Sequence, residues 1–152
     1  MTSQRTLTTN LFVVGKKNSG EKYVIDGCND YERRLKSVMN IQTIYCKNDT
    51  HLVDSVHKIA SSKGILVALD ECGSHYTSVE FSRFLYDSFE AGGSQVSFII
   101  GGPAGLPTSI KQNNPLISLS NMTWPYQLTR LLLLEQIYRG VEIRKGSSYH
   151  KD

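Results

Sequence analysis

A glycine-rich turn follows one of the most apolar segments of the sequence. Residues 96–100 read Val-Ser-Phe-Ile-Ile, a pattern typical of a buried strand, and residues 101–107 read Gly-Gly-Pro-Ala-Gly-Leu-Pro. Because glycine has no Cβ, the main chain of such a turn can approach a ligand closely. The turn matches neither the Walker A pattern nor the G-x-G-x-x-G fingerprint. On this pattern alone, a ligand cradle and a tight structural turn are equally open.

Two other segments carry polar side chains where predicted strands end. Residues 70–76 follow the apolar run 65–69, and residues 119–124 lie at the end of a short strand predicted at 116–120. In an open parallel sheet, ligands bind beyond the carboxyl ends of the strands. We therefore expect both segments and the glycine turn to converge on one cleft, with Asp70 as a candidate polar group at its edge.

The cysteines and histidines show no metal-binding pattern. Three widely spaced cysteines, odd in number, form no C-x-x-C pair, which argues against a disulfide framework and a zinc site. They are Cys28, Cys46 and Cys72. Three histidines lack ligand-spaced Cys, Asp or Glu partners and are expected to have surface or capping roles: His51, His57 and His75. The cysteines indicate reduced thiols in a cytoplasmic environment, and no metal is expected.

Apolar β-favouring segments alternate with helical patterns along the chain. This order is typical of an α/β fold with a mostly parallel sheet and helices on both faces. Strands are expected at 11–14, 41–45, 65–69, 96–100 and 116–120, with 65–69 central because it is apolar throughout. Helices are expected at 21–38, 49–60, from the Thr77-x-x-Glu80 capping box to residues 91–94, and at 125–139. Gly27 weakens the prediction that the first of these helices is unbroken.

The last helix is apolar around most of its circumference. It carries the run of four leucines at 131–134 together with Leu128, Ile137 and Tyr138. One sheet face does not need so broad an apolar surface. Two burial partners are therefore expected, the sheet and a second subunit.

The composition is that of one globular domain covering residues 1–152. The net charge is only +3, so a polyanion must be met by a local basic patch rather than by the whole surface. Between Arg130 and Lys151 there are five Lys or Arg residues and two acidic residues, Glu135 and Glu142, which makes this region locally basic. The apolar runs are too short to cross a bilayer, which takes about 18 residues or more. The Ser/Thr-rich residues 1–9 lack the apolar stretch of a secretory signal and would be short for a transit peptide, so import is not expected, while a trimmed organellar leader stays open. No membrane partner is expected.

A set of short motifs occurs in a fixed order along the chain. The motifs are Leu69-Asp70-Glu71 with Gly73, Ser78-x-Glu80-Phe81, Phe98-Ile99-Ile100-Gly101-Gly102-Pro103-x-Gly105-Leu106, Ser118-Leu119-Ser120-x-Met122-Thr123-x-Pro125, Leu133-Leu134-Glu135-Gln136-Ile137-Tyr138-Arg139 and Gly146-x-x-Tyr149-His150-Lys151. In this order they resemble the ribosomal large subunit methyltransferase H family, the 23S rRNA pseudouridine N3-methyltransferases of the SPOUT superfamily. The resemblance covers essentially the whole length and is weaker before residue 64.

The resemblance implies a C-terminal trefoil knot, in which the last segment threads through a loop. It also implies a homodimer that binds S-adenosyl-L-methionine in the knot. Carried over by position, the cofactor contacts fall on Leu69, Gly101, Gly102, Leu119, Ser120, Asn121, Met122, Thr123 and Trp124. Main-chain groups of three turns would then hold the cofactor, with Leu106, Leu119 and Met122 as apolar walls.

The resemblance also implies that Arg139, Tyr149, His150 and Lys151 face the RNA, the first three as the catalytic candidates. Arg139 suits bidentate phosphate binding and Tyr149 suits stacking on an unstacked base. Methylation at N3 requires removal of the N3 proton, for which His150, Tyr149 and solvent all remain candidates. The implied substrate is large-subunit rRNA, free or in the assembled ribosome.

One position departs from the family pattern. Where family members commonly carry Pro-His, this chain has Pro125-Tyr126. Tyrosine keeps an aromatic ring and a hydrogen-bonding tip but does not titrate near neutral pH. We expect position 126 to be structural, at a helix start. The tyrosine at position 126 also motivates an alternative function, that of a non-catalytic RNA-binding or ribosome-associated knotted dimer. A third interpretation is a nucleotide-binding enzyme of unrelated chemistry.

Overall fold

The apolar segments pair into one all-parallel sheet. In a computed structural model that describes residues 6–62 and 64–151, this sheet has five strands in the order β2-β1-β4-β3-β5. The strands are β1 (Leu7–Val14), β2 (Met39–Cys46), β3 (Ile65–His75), β4 (Gln95–Ile99) and β5 (Leu116–Ser118). The expected parallel α/β sheet is confirmed. Residues 1–5 of the N-terminal segment considered for a leader lie outside the described residues.

Helices cover both faces of this sheet, as predicted. Over the same described residues they are α1 (Lys22–Leu35), α2 (Asp49–Ala60), α3 (Ser78–Ala91), α4 (Thr108–Asn113) and α5 (Tyr126–Lys145). Successive strand residues point to opposite faces, so Phe98 packs with α1, α3 and α5 whereas Ile99 packs with α2 and α4. None of the helices in the described part of the chain has the length and apolarity needed to cross a bilayer.

Several helix boundaries differ from the predicted ones. Helix α1 ends at Leu35 rather than at 38 and runs unbroken through Gly27. A Cβ at Gly27 would lie 2.8 Å from Leu131 Cδ1, so the glycine permits close packing of α1 against α5. Helix α5 continues past 139 to Lys145 and ends at Gly146, whose φ is +73°. The short helix α4 was not predicted.

Strand β3 is longer than expected and does not occupy the middle of the sheet. It is an interior strand between β4 and β5, while β4 is the middle strand. Residues 70–75, expected in a loop, continue β3 after a register shift between Leu69 and Ser74. Gly73 makes this possible, because its Cα lies against the main chain of β5. Strand β5 in turn ends at Ser118, so 119 and 120 belong to the following turn.

The broad apolar surface of α5 is covered largely by neighbouring helices of the same chain. Leu133, Leu134 and Ile137 are completely buried in the core shared with the sheet, α1 and α3. On the α3 side, Ser82 Oγ donates a 2.7 Å hydrogen bond to the Gly140 carbonyl oxygen. Helices α1 and α3 of the same chain therefore bury much of the α5 surface for which a second subunit was expected.

The contact between Gly73 and β5 yields a stability prediction. A Cβ at position 73 would lie 2.6 Å from the main-chain carbonyl carbon and nitrogen of Ile117, which cannot rotate away. We expect Gly73→Ala to lower the free energy of unfolding by about 2–3 kcal/mol in urea denaturation. The adjacent exposed Cys72→Ala should change it by less than about 0.5 kcal/mol. Equal stabilities of the two variants would contradict the close approach.

Candidate functional site

Three chain segments meet around one cavity at the carboxyl edge of the sheet. The cavity has a volume of about 440 Å³ and is bounded by the β3 bulge, the turn after β4 and the turn after β5. Its lining includes these expected cofactor residues: Leu69, Gly101, Gly102, Leu119, Ser120, Met122, Thr123 and Trp124. Asn121 lies in the same turn but does not line the cavity. The cavity walls are therefore formed by residues that are far apart in sequence.

The glycine turn after β4 is tightly folded on itself. Gly105 N donates a 2.9 Å hydrogen bond to the Gly102 carbonyl oxygen. A Cβ at Gly101 would lie 2.5 Å from the carbonyl carbon of Gly105, and Gly105 itself has a φ of +82°. Close main-chain packing at Gly101 and the positive φ at Gly105 therefore favour glycine at both positions. The same turn also forms one wall of the cavity.

The turn after β5 is held by serine side chains. Ser118 Oγ donates to the Ser120 carbonyl oxygen at 2.8 Å, and Ser120 Oγ accepts from the Met122 amide at 3.0 Å. Beyond these bonds, the side chains of Met122 and Trp124 are 68% and 37% exposed. The turn therefore combines a fixed main chain with exposed apolar side chains at the mouth of the cavity.

Asp70 lines the cavity, yet both of its carboxylate oxygens already have partners. Oδ1 accepts from the Cys72 amide at 2.9 Å, and Oδ2 lies 3.1 Å from Lys111 Nζ on α4. Burial opposes ionisation, but the Cys72 amide and the Lys111 ammonium outweigh it and lower the pKa of Asp70 below its ordinary 3.8. Asp70 is therefore an ionised group that ties the β3 bulge to α4.

This ion pair should contribute to stability in a pH-dependent way. Because the pKa of Asp70 is depressed in the folded state, its contribution is present above pH 3.8 and is lost as the pH falls further. Lys111 is about half exposed, so solvent screening keeps the contribution modest. We expect Asp70→Asn to cost about 1–2 kcal/mol at pH 7, by thermal denaturation, and progressively less as the pH falls below 3.8. A loss of stability that does not change with pH would contradict the ion pair between Asp70 and Lys111. The control is Glu71→Gln, a substitution of the exposed neighbouring residue.

The three catalytic candidates meet in a second cluster, at the C-terminus. Arg139 donates from Nε and Nη2 to Glu135 Oε1, at 3.0 and 2.6 Å, and its Nη1 lies 3.2 Å from His150 Nδ1. Tyr149 OH donates to the same Glu135 oxygen at 3.0 Å, and the Arg139 guanidinium lies 4.9 Å from the Tyr149 ring centroid. Glu135 therefore anchors the end of the chain against α5.

The environment of Tyr149 affects its acid–base chemistry. Burial first, then hydrogen bonds with Tyr31 and the Glu135 carboxylate, raise the pKa of the Tyr149 phenol well above its usual value. Its ring also packs edge-on against Tyr138, with centroids 4.8 Å apart. Tyr149 is therefore a protonated hydrogen-bond donor at neutral pH, which disfavours it as the base.

Sequence reasoning missed the anchoring roles of Glu135 and Tyr31. Glu135 precedes Arg139 by one helical turn, and this Glu-to-Arg spacing was the available signal for a pair on α5. Tyr31, on α1, has its hydroxyl 3.5 Å from that of Tyr149. No spacing rule connects residues so far apart along the chain.

Within one chain, the cavity and the C-terminal cluster are separated. Tyr126, the first residue of α5, lines the cavity. Arg139 lies further along the same helix, about 20 Å away at about 1.5 Å of rise per residue. The structure thus assembles the two parts of the expected site separately and does not join them in one protomer.

Tyr126 is placed at a helix start, as expected, but it also contributes to the cavity wall. Its hydroxyl accepts a 3.4 Å hydrogen bond from Gln127 Nε2. A side chain that lines the cavity can affect ligand binding directly. A purely structural interpretation of this position is therefore incomplete.

The described residues contain no group of three or more His, Cys, Asp and Glu side chains placed to hold a metal. His51, in the first turn of α2, has a local role: its Nδ1 accepts a 3.0 Å hydrogen bond from the Lys47 amide in the preceding loop. All three cysteines are free; Cys28 and Cys46 are buried and Cys72 is exposed.

Comparison with known proteins identifies the class of protein to which this chain belongs. The family described as "Predicted SPOUT methyltransferase" matches residues 7–150. A solved structure, a probable methylase family protein from Haemophilus influenzae, superposes with a TM-score of 0.60 at 8% identity, covering 96% of this chain and 70% of that one. That likeness concerns the fold alone. The chain belongs to the SPOUT methyltransferase family.

Curated relatives narrow the class further. The chain is 40% identical over 145 residues to the ribosomal RNA large subunit methyltransferase H of Protochlamydia amoebophila, covering 95% of this chain and 99% of the relative. It is 36% identical over 146 residues to the protein of the same name from Coprothermobacter proteolyticus, covering 95% of this chain and 100% of the relative. The family resemblance found in the sequence motifs is therefore confirmed.

Proposed function

We propose that this chain transfers a methyl group from S-adenosyl-L-methionine to N3 of a pseudouridine in large-subunit rRNA. The relatives named as ribosomal RNA large subunit methyltransferases support the substrate class. The observation that carries the proposal is the cavity at the carboxyl edge of the sheet, built from the main chain of three separate turns. The substrate is 23S-type rRNA, free or in the assembled ribosome, and the enzyme acts in the cytoplasm.

The cavity suits the proposed cofactor in size and chemistry. Its volume of about 440 Å³ lies within the range of about 300–1,000 Å³ typical of small-molecule sites. Main-chain groups of the three turns can bind the adenine and the amino-acid portion, while Leu106, Leu119 and Met122 provide apolar surface. When bound, the cofactor supplies a methyl group already activated on a sulfonium sulfur.

The C-terminal cluster supplies the groups that act on the RNA. For methylation at N3, the residues of this chain would have to orient the base towards the cofactor and allow the N3 proton to leave. We propose His150 for proton removal, with solvent as the other candidate, because the raised pKa of Tyr149 keeps its phenol protonated. Tyr149 and Arg139 position the base and a neighbouring phosphate by stacking and hydrogen bonding.

These assignments require two copies of the chain. Since the cluster lies about 20 Å from the cavity along α5, we propose a homodimer in which the tail of one protomer reaches the cavity of the other. The exposed side chains of Met122 and Trp124 at the cavity mouth support burial against a partner. The proposal includes the trefoil knot, formed by threading of the segment after β5.

A non-catalytic knotted RNA-binding dimer is the second candidate, and one observation favours it. Tyr126 lines the cavity at the position where the family commonly has histidine. If that imidazole is required, the chain binds RNA without turnover. Membership of the SPOUT methyltransferase family argues against the third reading, an enzyme of unrelated chemistry.

One pair of measurements separates the candidates. Labelled S-adenosylmethionine is incubated with ribosomes that lack the modification, and the methylated nucleotide is located by mass mapping. Calorimetric titration measures cofactor binding in parallel. We expect micromolar binding and one methylated pseudouridine; no binding at millimolar cofactor, together with retained RNA binding, would replace the enzyme with the non-catalytic dimer.

A further inference from the structure

Three exposed lysines lie at the same edge of the sheet as the cavity. Lys16 and Lys17 belong to the loop after β1, and Lys47 belongs to the loop after β2. We call these three residues the lysine edge. None of them takes part in the ion pairs found among residues 6–62 and 64–151, whereas Lys22 and Lys111 are both paired. The lysine edge therefore presents positive charge that no carboxylate of the described residues neutralises within 4.0 Å.

Strand pairing brings the two loops together. β1 and β2 are parallel neighbours with Val14 opposite Cys46, and the Gly15 amide donates a 2.8 Å hydrogen bond to the Cys46 carbonyl oxygen. Lys16 and Lys47 therefore follow directly from paired positions on strands about 5 Å apart. The three positive charges are clustered by the sheet itself.

The loop after β1 is locally ordered. Ser19 donates to the Lys16 carbonyl oxygen from its amide at 3.2 Å and from its hydroxyl at 2.7 Å, which closes a turn around Lys17. Asn18 within this turn has a φ of +61°, a left-handed conformation that asparagine tolerates well. A preformed turn presents its lysines with a smaller entropy loss on binding than a flexible loop would.

The lysine edge is continuous with the rim of the cavity. Lys16 and Ser19 line a small recess together with Tyr126, and Tyr126 also lines the main cavity. From the other side, Gly102 of the glycine turn packs against Val14 at the end of β1. A polymer whose target base enters the cavity can therefore extend over the lysine edge.

Helix dipoles reinforce this charge. In a parallel α/β sheet the helix N-termini lie at the carboxyl edge of the strands, and each carries a partial positive charge. α1 and α2 begin at this edge, directly after the two lysine-bearing loops. Glu21 and Asp49 also lie there, but neither carboxylate is within 4.0 Å of a lysine of the edge.

We propose that the lysine edge binds backbone phosphates of the rRNA strand on one side of the target nucleotide. This inference rests on the proposed function for the identity of the RNA. It assigns substrate docking to a surface of the cavity-bearing protomer, separate from the C-terminal cluster. It also explains how a chain with a net charge of only +3 meets a polyanion.

The test compares two variants that each remove three exposed positive charges. One is the triple variant Lys16→Gln, Lys17→Gln, Lys47→Gln. The matched control is Arg33→Gln, Lys36→Gln, Lys58→Gln, at the opposite edge of the sheet. Binding to a large-subunit rRNA fragment is measured from 50 to 300 mM salt, and cofactor affinity is measured by calorimetry.

We expect the lysine-edge variant to bind RNA about 10- to 30-fold more weakly at low salt, with a salt slope reduced by about 2. Its cofactor affinity and thermal stability should match those of wild type, and replacement of the same three lysines by arginine should restore RNA binding. The control variant should lose less than about threefold in affinity.

The outcomes separate this inference from the proposed function. Normal methyl transfer with equal salt slopes in both variants would overturn the docking surface and leave the enzyme intact. Absence of methyl transfer with a selective loss of RNA binding in the lysine-edge variant would support the surface and overturn the enzyme. Wild type that shows no salt-dependent RNA binding would overturn the docking surface.

Discussion

Deletion of residues 149–152 should reduce methyl transfer to ribosomes by at least about 100-fold, the contribution typical of a lost general base. The deletion removes both Tyr149 and His150, which the structure places on Glu135 and Arg139. S-adenosylmethionine affinity should fall far less than activity, because the cluster does not line the cavity of its own chain. Single-turnover methylation and calorimetry measure the two quantities separately.

Two controls make this result specific. Ser148→Ala changes an exposed neighbouring residue and should retain full activity. Thermal denaturation should show that the truncated chain remains folded, since the core helices keep their contacts. A truncated enzyme with more than a tenth of wild-type activity would remove the C-terminal cluster from the mechanism.

Gly101→Ala should reduce methyl transfer to a similar extent, by disturbing the glycine turn at the cavity. Its Cβ would lie 2.5 Å from the carbonyl carbon of Gly105 and 2.6 Å from Leu106 N, so the turn must move as a main-chain unit. A displacement of about 1 Å at a reacting centre can cost about 100-fold in rate. We expect losses of about this size in methyl transfer and a parallel loss in cofactor affinity.

The matched control is Gly140→Ala on α5. There the new Cβ would be in ordinary contact, 3.4 Å from Ser82 Cα, and far from the cavity. Cofactor affinity of this variant should be unchanged. If Gly101→Ala bound cofactor as tightly as Gly140→Ala, the glycine turn would not be part of the cofactor site.

Mixing the two inactive chains tests the proposed dimer. A heterodimer of the truncated chain and the Gly101→Ala chain contains one intact cavity and one intact tail, on different protomers. If the tail acts on the partner's cavity, the mixture regains a substantial fraction of wild-type activity. If the tail acts within its own chain, the mixture stays inactive, and the proposal of a site shared between protomers fails.

The sequence predicted the sheet and helices well because their signals are local. Each signal involves residues close together in sequence: the short apolar runs, the helically spaced apolar residues, the Thr77 to Glu80 capping box and the glycine turn. The errors occurred where distant partners decide the structure. Residues 70–75 extend β3 because Ser74 and His75 pair with Ile117 and Ser118, and no local pattern reports that pairing.

The same distinction holds at the site. Motif order alone was sufficient to relate the chain to a methyltransferase family, and the ends of the predicted strands selected the three turns as candidates. Tertiary structure alone decided that Asp70 is tied to Lys111, that Tyr31 meets Tyr149, and that the tail lies against α5 away from the cavity. These contacts join residues that only packing brings together, and their energies depend on burial, which a sequence pattern does not specify.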